Sequence, residues 1–305
     1  MTGQEKHNLR VGLLFISPWI IGFLAFCVYP VLSSLYFSLC DYSVLSPAVF
    51  IGLQNYRDLA LDEVFWTAIY NTLFFAAFAI PLGLLIALSL AILLNFKAKG
   101  SGIFRTIFFL PSLVPMVSLA VLWQWMLNGE LGLVNTTINP VLHFINQLVG
   151  THLSAPNWLA DARYAKWGII FTALWGAGNA VVIFLAGLQD VPRHLYESAE
   201  IDGASFWQKT LHVTLPILSP VIYFNMIMGL IGSFQIFAVP FVMTNGGEGP
   251  ERSLVFMATY LYANAFDYSK MGYACAIGVI LFLIILFFTY VSSKLSERHV
   301  YYAGK

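Results

Sequence analysis

The chain is 305 residues long, 59% hydrophobic and only 10% charged, against about 25% charged in an ordinary soluble domain. A single soluble core of this size cannot hide that much apolar surface, so the surplus must face lipid. Its 15 basic and 15 acidic residues cancel, which leaves nothing to draw nucleic acid.

At the N-terminus, Lys6 and Arg10 precede an apolar run from Val11 to Leu39. That run is too long for a signal-peptide core and lacks a small-residue cleavage site, so it reads as a first spanning helix. A span needs about 20 mostly apolar residues, because backbone groups in hydrocarbon must bond within their own segment. Six stretches qualify: roughly 11–38, 67–95, 104–127, 167–188, 217–243 and 271–293. The expected fold is all-α, a polytopic membrane protein with six transmembrane helices and one transmembrane domain over 1–305. Cys27, Cys40 and Cys275 show no metal or disulfide spacing and are expected to pack as small apolar residues.

Two other segments are apolar but read as external excursions. Residues 131–160 carry Asn135, Asn139, Pro140, His143, Asn146 and Gln147 beside an apolar stripe of Val141, Leu142, Ile145 and Leu148, which suits a helix on the membrane surface. Residues 253–266 are too short to span and apolar enough to rest at the interface.

Six spans put both termini on one side, together with Lys6, Arg10, Lys97, Lys99, Arg105, Arg193, Lys209, Lys294, Arg298 and Lys305. Arg57, Arg163, Lys166, Arg252 and Lys270 fall on the other side, a ratio of ten to five that makes the terminal face cytoplasmic. A seventh span over 131–160 would give nine to six. Its polar content, more than charge, therefore argues against spanning. Trp19, Tyr29, Trp66, Tyr70, Trp123, Trp125, Trp167 and Tyr290 sit where spans should meet headgroups, as interfacial anchors do.

The most informative segment joins spans four and five: Asp190-Val191-Pro192-Arg193-His194-Leu195-Tyr196-Glu197-Ser198-Ala199-Glu200-Ile201-Asp202-Gly203-Ala204-Ser205, running on to Leu215-Pro216. Pro192 suits a first helical turn, and Leu195, Tyr196 and Ala199 would share one side. Asp202-Gly203 signals a turn with Gly at positive φ. A second short helix should follow, with Pro216 opening the next span. The product is a helix–turn–helix knob at 190–216 on the cytoplasmic face.

Glu197-Ser198-Ala199, Gly203 after three intervening residues, then Val213-Thr214-Leu215-Pro216 resembles the "EAA" signature of ABC importer permeases. That signature runs Glu-Ala-Ala, three residues, Gly, nine residues, Ile-x-Leu-Pro. Ser198 and Val213 are the departures, both small or conservative. The longer pattern Leu-Tyr-Glu-x-Ala-x-x-Asp-Gly-Ala, ending at Ala204, resembles carbohydrate-uptake permeases. Phe50-Ile51-Gly52-Leu53-Gln54-Asn55-Tyr56 with Asn71-Thr72, and Thr244-Asn245-Gly246-Gly247, resemble loops of the maltose and glycerol-phosphate type of first permease.

This resemblance implies a permease subunit of a binding-protein-dependent importer in the cell (inner) membrane. Its knob would dock on a cytoplasmic ATPase, with Glu197 as acidic contact, Gly203 for the turn, and Ala199 for close approach. It implies as partners a second homologous permease, two ATP-binding cassette ATPase subunits, an extracytoplasmic solute-binding protein and a sugar. The chain has no Gly-x-x-x-x-Gly-Lys-Ser/Thr phosphate loop, so it is expected to be no enzyme and to bind no cofactor, ATP being used by a partner.

A secondary carrier would place ionisable residues at membrane depth. None lies well inside the spans, and His212 falls near the cytoplasmic edge. A membrane enzyme would show paired carboxylates or His-x-x-x-His at a membrane face, which are absent too. A neutral, hydroxyl-rich substrate fits better. It would need amides, hydroxyls and aromatic faces near the midplane. Trp175, Asn179, Asn225, Ser233, Phe234 and Gln235 are the candidates, with Asn179, Ser233 and Gln235 foremost; the competing role for such residues is helix–helix hydrogen bonding. Gly176, Gly178 and Gly229 are expected to mark close helix packing.

Overall fold

The computed structural model describes residues 2–96, 101–297 and 300, so Lys97, Lys99, Arg298 and Lys305 lie outside the described residues. The fold is all-α apart from one hairpin. Among the described residues four helices are long and apolar enough to cross a membrane: Gly3–Phe37, Glu63–Asn95, Phe206–Met243 and Met271–Ser296. Two bent pairs bring the number to six if each is one span.

The chain forms two compact units. The first runs through Asp62 and includes Leu261–Phe282. It opens with α1 (Gly3–Phe23), a wide π turn at Leu24–Val28 and α2 (Tyr29–Phe37). Together they make a 35-residue rod whose most apolar stretch is wholly unburied. The wide turn answers Pro30, which has no N–H and would clash with the carbonyl four residues back. A hairpin follows, β1 (Cys40–Ser43) against β2 (Ser46–Phe50), antiparallel. It lies between the first two expected spans, and its turn, Val44-Leu45, holds no Gly, Asn or Pro. Helix α3 (Gln54–Leu61) fixes the hairpin: Asn55 donates to the carbonyls of Ser38 and Cys40, each at 2.9 Å.

The second unit comprises Glu63–Tyr260 and the chain from Leu283. Its axis is α4 (Glu63–Asn95), against which pack α8 (Ala162–Trp175), α9 (Gly178–Gln189) and α12 (Leu215–Phe234). The stretch 104–127, expected as one span, is two helices, α5 (Ser101–Phe109) and α6 (Met116–Met126), bent by 98°. Pro111 and Pro115 break the ladder between them. Helices α8 and α9 are bent by 46° at Gly176-Ala177-Gly178.

The excursion at 131–160 holds α7 (Leu133–Val149), closed by Gly150 in the left-handed region at φ 71°. Asn135 donates to the carbonyls of Gly129 (2.8 Å) and Pro156 (3.0 Å) and accepts from the Trp158 indole at 2.8 Å. One face of α7 stays bare, with Val141, Phe144 and Leu148 exposed. The segment 253–257 departs from the expected interfacial placement. Residues 253–257 are buried, and Phe256 sets its ring against Phe75 at 5.8 Å. Trp123 departs likewise: it is a core residue beside Ala120 and Leu127, not an interfacial anchor, whereas Trp19, Tyr29, Trp66, Tyr70, Trp125 and Tyr290 are exposed.

Two apolar cores lie at opposite ends of this unit. One gathers Phe75, Ala120, Trp123, Ile169, Ile170 and Phe256. The other gathers Ala87, Ala91, Leu94, Phe184, Leu188 and Leu218.

Candidate functional site

The knob sits against the second of these cores. Helix α10 (Arg193–Ile201) begins after Pro192, which serves as its N-cap, one position earlier than a first-turn residue. Leu195, Tyr196 and Ala199 face inward and are half-buried, while Glu197 and Ser198 are exposed. Asp202 ends the helix and Gly203 turns the chain at φ 74°, with nothing near the place a Cβ would occupy. The amide of Gly203 donates to Glu200 O at 3.0 Å and that of Ala204 to Ala199 O at 2.9 Å. Each satisfies a carbonyl that the helix end leaves open.

Ser205 then caps α11 (Phe206–Lys209), accepting from Gln208 N while Gln208 Oε1 accepts from Ser205 N. Pro216 does not open a separate span. Helix α11 passes through a π turn at Thr210–Thr214 straight into α12, and Leu215 and Pro216 lie half-buried inside one continuous rod. The wide turn removes the clash that Pro216 would have with the carbonyl of His212. Tyr196 Oη lies 2.9 Å from Thr214 Oγ1, and Lys209 Nζ lies 2.8 Å from Glu200 Oε1. Tyr196 and Val213 also pack on the core of Leu94, Leu188 and Val191. Helix α10 is thus tied to the segment that leads into α12, at Lys209 and at Thr214.

Between the two cores, halfway along α4 and α12, lies a cavity of about 570 Å³. Small-molecule sites occupy roughly 300–1,000 Å³. Its polar lining is Thr172, Asn225, Ser233 and Gln235, with Phe75 and Phe237 as aromatic faces. Asn225 and Ser233 are two helical turns apart on α12, hence on one face. Thr172 Oγ1 donates to Gly168 O at 2.9 Å and Asn225 Nδ2 to Val221 O at 2.9 Å. The rest is apolar, with Gly83, Gly229 and Gly232 making room. After α12 the chain is interrupted at Phe237 (φ −135°, ψ −60°) before α13 (Ala238–Met243).

Of the six candidates named from the sequence, the cavity gathers Asn225, Ser233 and Gln235. Asn179 is exposed, and Trp175 is 53% exposed with its ring against Trp123. Phe234 is buried and pairs with Phe288 at 5.5 Å. The bend at 176–178 turns Asn179 away. Thr172 and Phe237 were missed. Thr172 stands eight residues before Ala180, across the glycine bend, where helical spacing misleads. Among the three glycines, only Gly178 marks close packing: a Cβ there would stand 2.7 Å from Phe108 O. Gly229 has ordinary contacts at 3.8 Å, and Gly176 meets a carbonyl of its own helix, Ala173 O, at 3.4 Å. Among the described residues no three of His, Cys, Asp and Glu are grouped to hold a metal ion.

At the end opposite the knob, Asn71 is buried and donates to the carbonyls of Arg252 and Val255, both at 2.9 Å. It accepts from Lys166 Nζ at 3.1 Å, which also lies over the Tyr70 and Phe74 rings. Thr72 Oγ1 accepts from Met257 N at 3.0 Å. Arg105, Arg193 and Lys209 therefore stand at one end of the unit, and Lys166 and Arg252 at the other.

The family model for the binding-protein-dependent transport system inner membrane component matches residues 79–301. The chain is 35% identical over 305 residues to the probable ABC transporter permease protein YesP of Bacillus subtilis, covering 99% of this chain and 94% of that one. It is 32% identical to the trehalose/maltose transport system permease protein MalF of Thermococcus litoralis, over 97% of each chain. Its fold superposes on a chain of a bacterial ABC transporter involved in the import of the acidic polysaccharide alginate, with a TM-score of 0.81, 23% identity, and coverage of 97% and 99%.

Proposed function

Because the chain belongs to the family of binding-protein-dependent transport system inner membrane components, we propose that it is the permease subunit that carries a sugar or oligosaccharide through an ABC importer, with residues 190–216 as its coupling element. One observation carries this reading: the second half of the knob, α11, and the polar face of the cavity on α12 belong to one continuous helical stretch, Phe206–Phe234. A push on α10 reaches α12 through the Tyr196–Thr214 contact and the Lys209–Glu200 pair. It then travels along the helix to Asn225 and Ser233.

In this reading a cytoplasmic ATPase grips the exposed face of α10, with Glu197 and Ser198 as contacts, Ala199 letting the helix lie close on the span beneath it, and Gly203 and Ala204 forming the turn. Asp202 ends the helix, and Leu215 and Pro216 sit at the joint with the span. Two such ATPases hydrolyse ATP, a second permease completes the pathway, and an extracytoplasmic binding protein delivers the substrate. Both termini then face the cytoplasm. A sugar is the substrate class because the cavity offers two amides, two hydroxyls and aromatic faces and no ionised group. The trehalose/maltose relative agrees with that class.

The test is uptake by the complete importer in proteoliposomes containing ATP, with Glu197→Ala and Gly203→Val combined. The expected result is an assembled complex in which binding protein no longer stimulates ATP hydrolysis and sugar no longer accumulates. Uptake at the unaltered rate would overturn the coupling role.

A further inference from the structure

A second cavity, of about 230 Å³, opens between α5 and α9 on the outside of the bundle, apart from the central one. Its walls are Phe109, Val181, Val182, Leu185 and Ala186, and its rim carries Arg105 and Gln189. It closes at Gly178, where α9 touches the backbone of α5 at Phe108 and Phe109. The outer lip is open: Val182 is 47% exposed, and Arg105, Ala186 and Gln189 are exposed.

The polar and apolar parts are segregated along the groove. From Gly178 to Gln189 the α9 wall is about 16 Å long at 1.5 Å per residue. One leaflet of a bilayer's hydrocarbon is about 15 Å deep. The groove therefore runs from near the midplane to the headgroup level, apolar throughout and polar only at the headgroup end. Arg105 makes one long bond there, Nη2 to Leu94 O at 3.4 Å, and no carboxylate pairs with it among the described residues. A guanidinium at that depth with most of its five N–H donors free is complementary to a phosphodiester.

We propose that this groove holds one anionic phospholipid, an acyl chain lying along Val182 and Leu185 and its phosphate on Arg105 and Gln189. The orientation argued above makes it a lipid of the cytoplasmic leaflet; the site itself does not depend on the sugar reading. A neutral detergent would fill the walls but leave the positive charge at the rim unmatched, and a zwitterionic lipid would bring its phosphate together with a cation that adds to the positive charge there. Basic pockets between spanning helices on the cytoplasmic side select acidic headgroups by this means.

The test is native mass spectrometry of the importer complex taken from nanodiscs of equal phosphatidylglycerol and phosphatidylcholine, reading the most tightly held lipid per copy of this chain. Phosphatidylglycerol should dominate, and Arg105→Ala should lower its ratio to phosphatidylcholine by about tenfold, the worth of one charge-assisted hydrogen bond. Val182→Trp, which keeps Arg105 and fills the groove, should expel both lipids. An unchanged ratio in Arg105→Ala overturns the proposal, as does full lipid retention in Val182→Trp. Two further results would also overturn it. One is displacement of phosphatidylglycerol by excess inorganic phosphate, which would make the rim an anion site without an acyl chain. The other is efficient disulfide capture of Val182→Cys by the second permease, which would show a protein partner covering the face.

Discussion

Both ends of the second unit carry an apolar core, and the far end adds buried amides that hold its loops. At the knob end, α4, α9 and α12 meet through Ala87, Ala91, Phe184, Leu188 and Leu218, small and large apolar side chains interleaved. At the far end, loops are tied down by amides: Asn71 collects two carbonyls of the 252–255 segment and Asn135 two carbonyls flanking α7. Helices bring their own backbone partners into a membrane, whereas loops need a side chain to supply them. The comparison teaches that where backbone leaves a helix inside this unit, a buried side-chain amide meets it. Apolar packing gains little there from the hydrophobic effect, because lipid is as apolar as leucine.

That contrast can be broken first at Asn71. Replacing it with Leu conserves volume but orphans two buried carbonyls and the ammonium of Lys166. We expect a loss of about 3 kcal/mol, read as a lowered unfolding midpoint in detergent by tryptophan fluorescence. Phe184→Ala at the apolar end should cost less, about 2 kcal/mol, since only the cavity part of the usual penalty survives in a lipid-like reference. A scan of thermal midpoints in one micelle type compares the two directly, and the reverse order would undo the argument. Gly178→Ala pushes a methyl against the Phe108 carbonyl, at 2.7 Å before relaxation, and should cost about 1.5 kcal/mol by overpacking. A larger loss for Gly178→Val than for Gly178→Ala would identify crowding as the cause. Leu218→Met closes the series. As a volume-conserving swap it should shift stability by less than about 1 kcal/mol, so an isosteric change is tolerated at one end of the unit and costly at the other.

Much of this was legible beforehand, for reasons that also mark where legibility ended. Hydropathy found the spans because it measures the length of apolar chain, and Asp202-Gly203 announced the turn at φ 74° because only glycine enters that region freely. Hydropathy is blind to direction, so it ran through Pro111 and Pro115 and concealed a bend of 98°. Asn225 and Ser233 could be placed on one face because α12 is unbroken between them. Asn179 could not, since its facing depends on the bend after Gly176. The hairpin at 40–50 escaped notice because its turn, Val44-Leu45, is apolar and its fastening amide, Asn55, arrives from a later helix. Trp123 looked like a headgroup anchor because its neighbours in sequence are apolar, whereas its burial is decided by α8 and the 254–256 segment.

The π turn at Thr210–Thr214 has a bearing on every experiment that places probes by helical wheel. One extra residue is accommodated in that turn, and one residue of α-helix is worth about 100° of rotation. A wheel drawn through 206–234 without a break would therefore aim labels on α11 about a quarter-turn or more away from their actual bearing relative to Asn225. Cysteine pairs meant to staple the knob to its span should be counted with one position dropped across that segment.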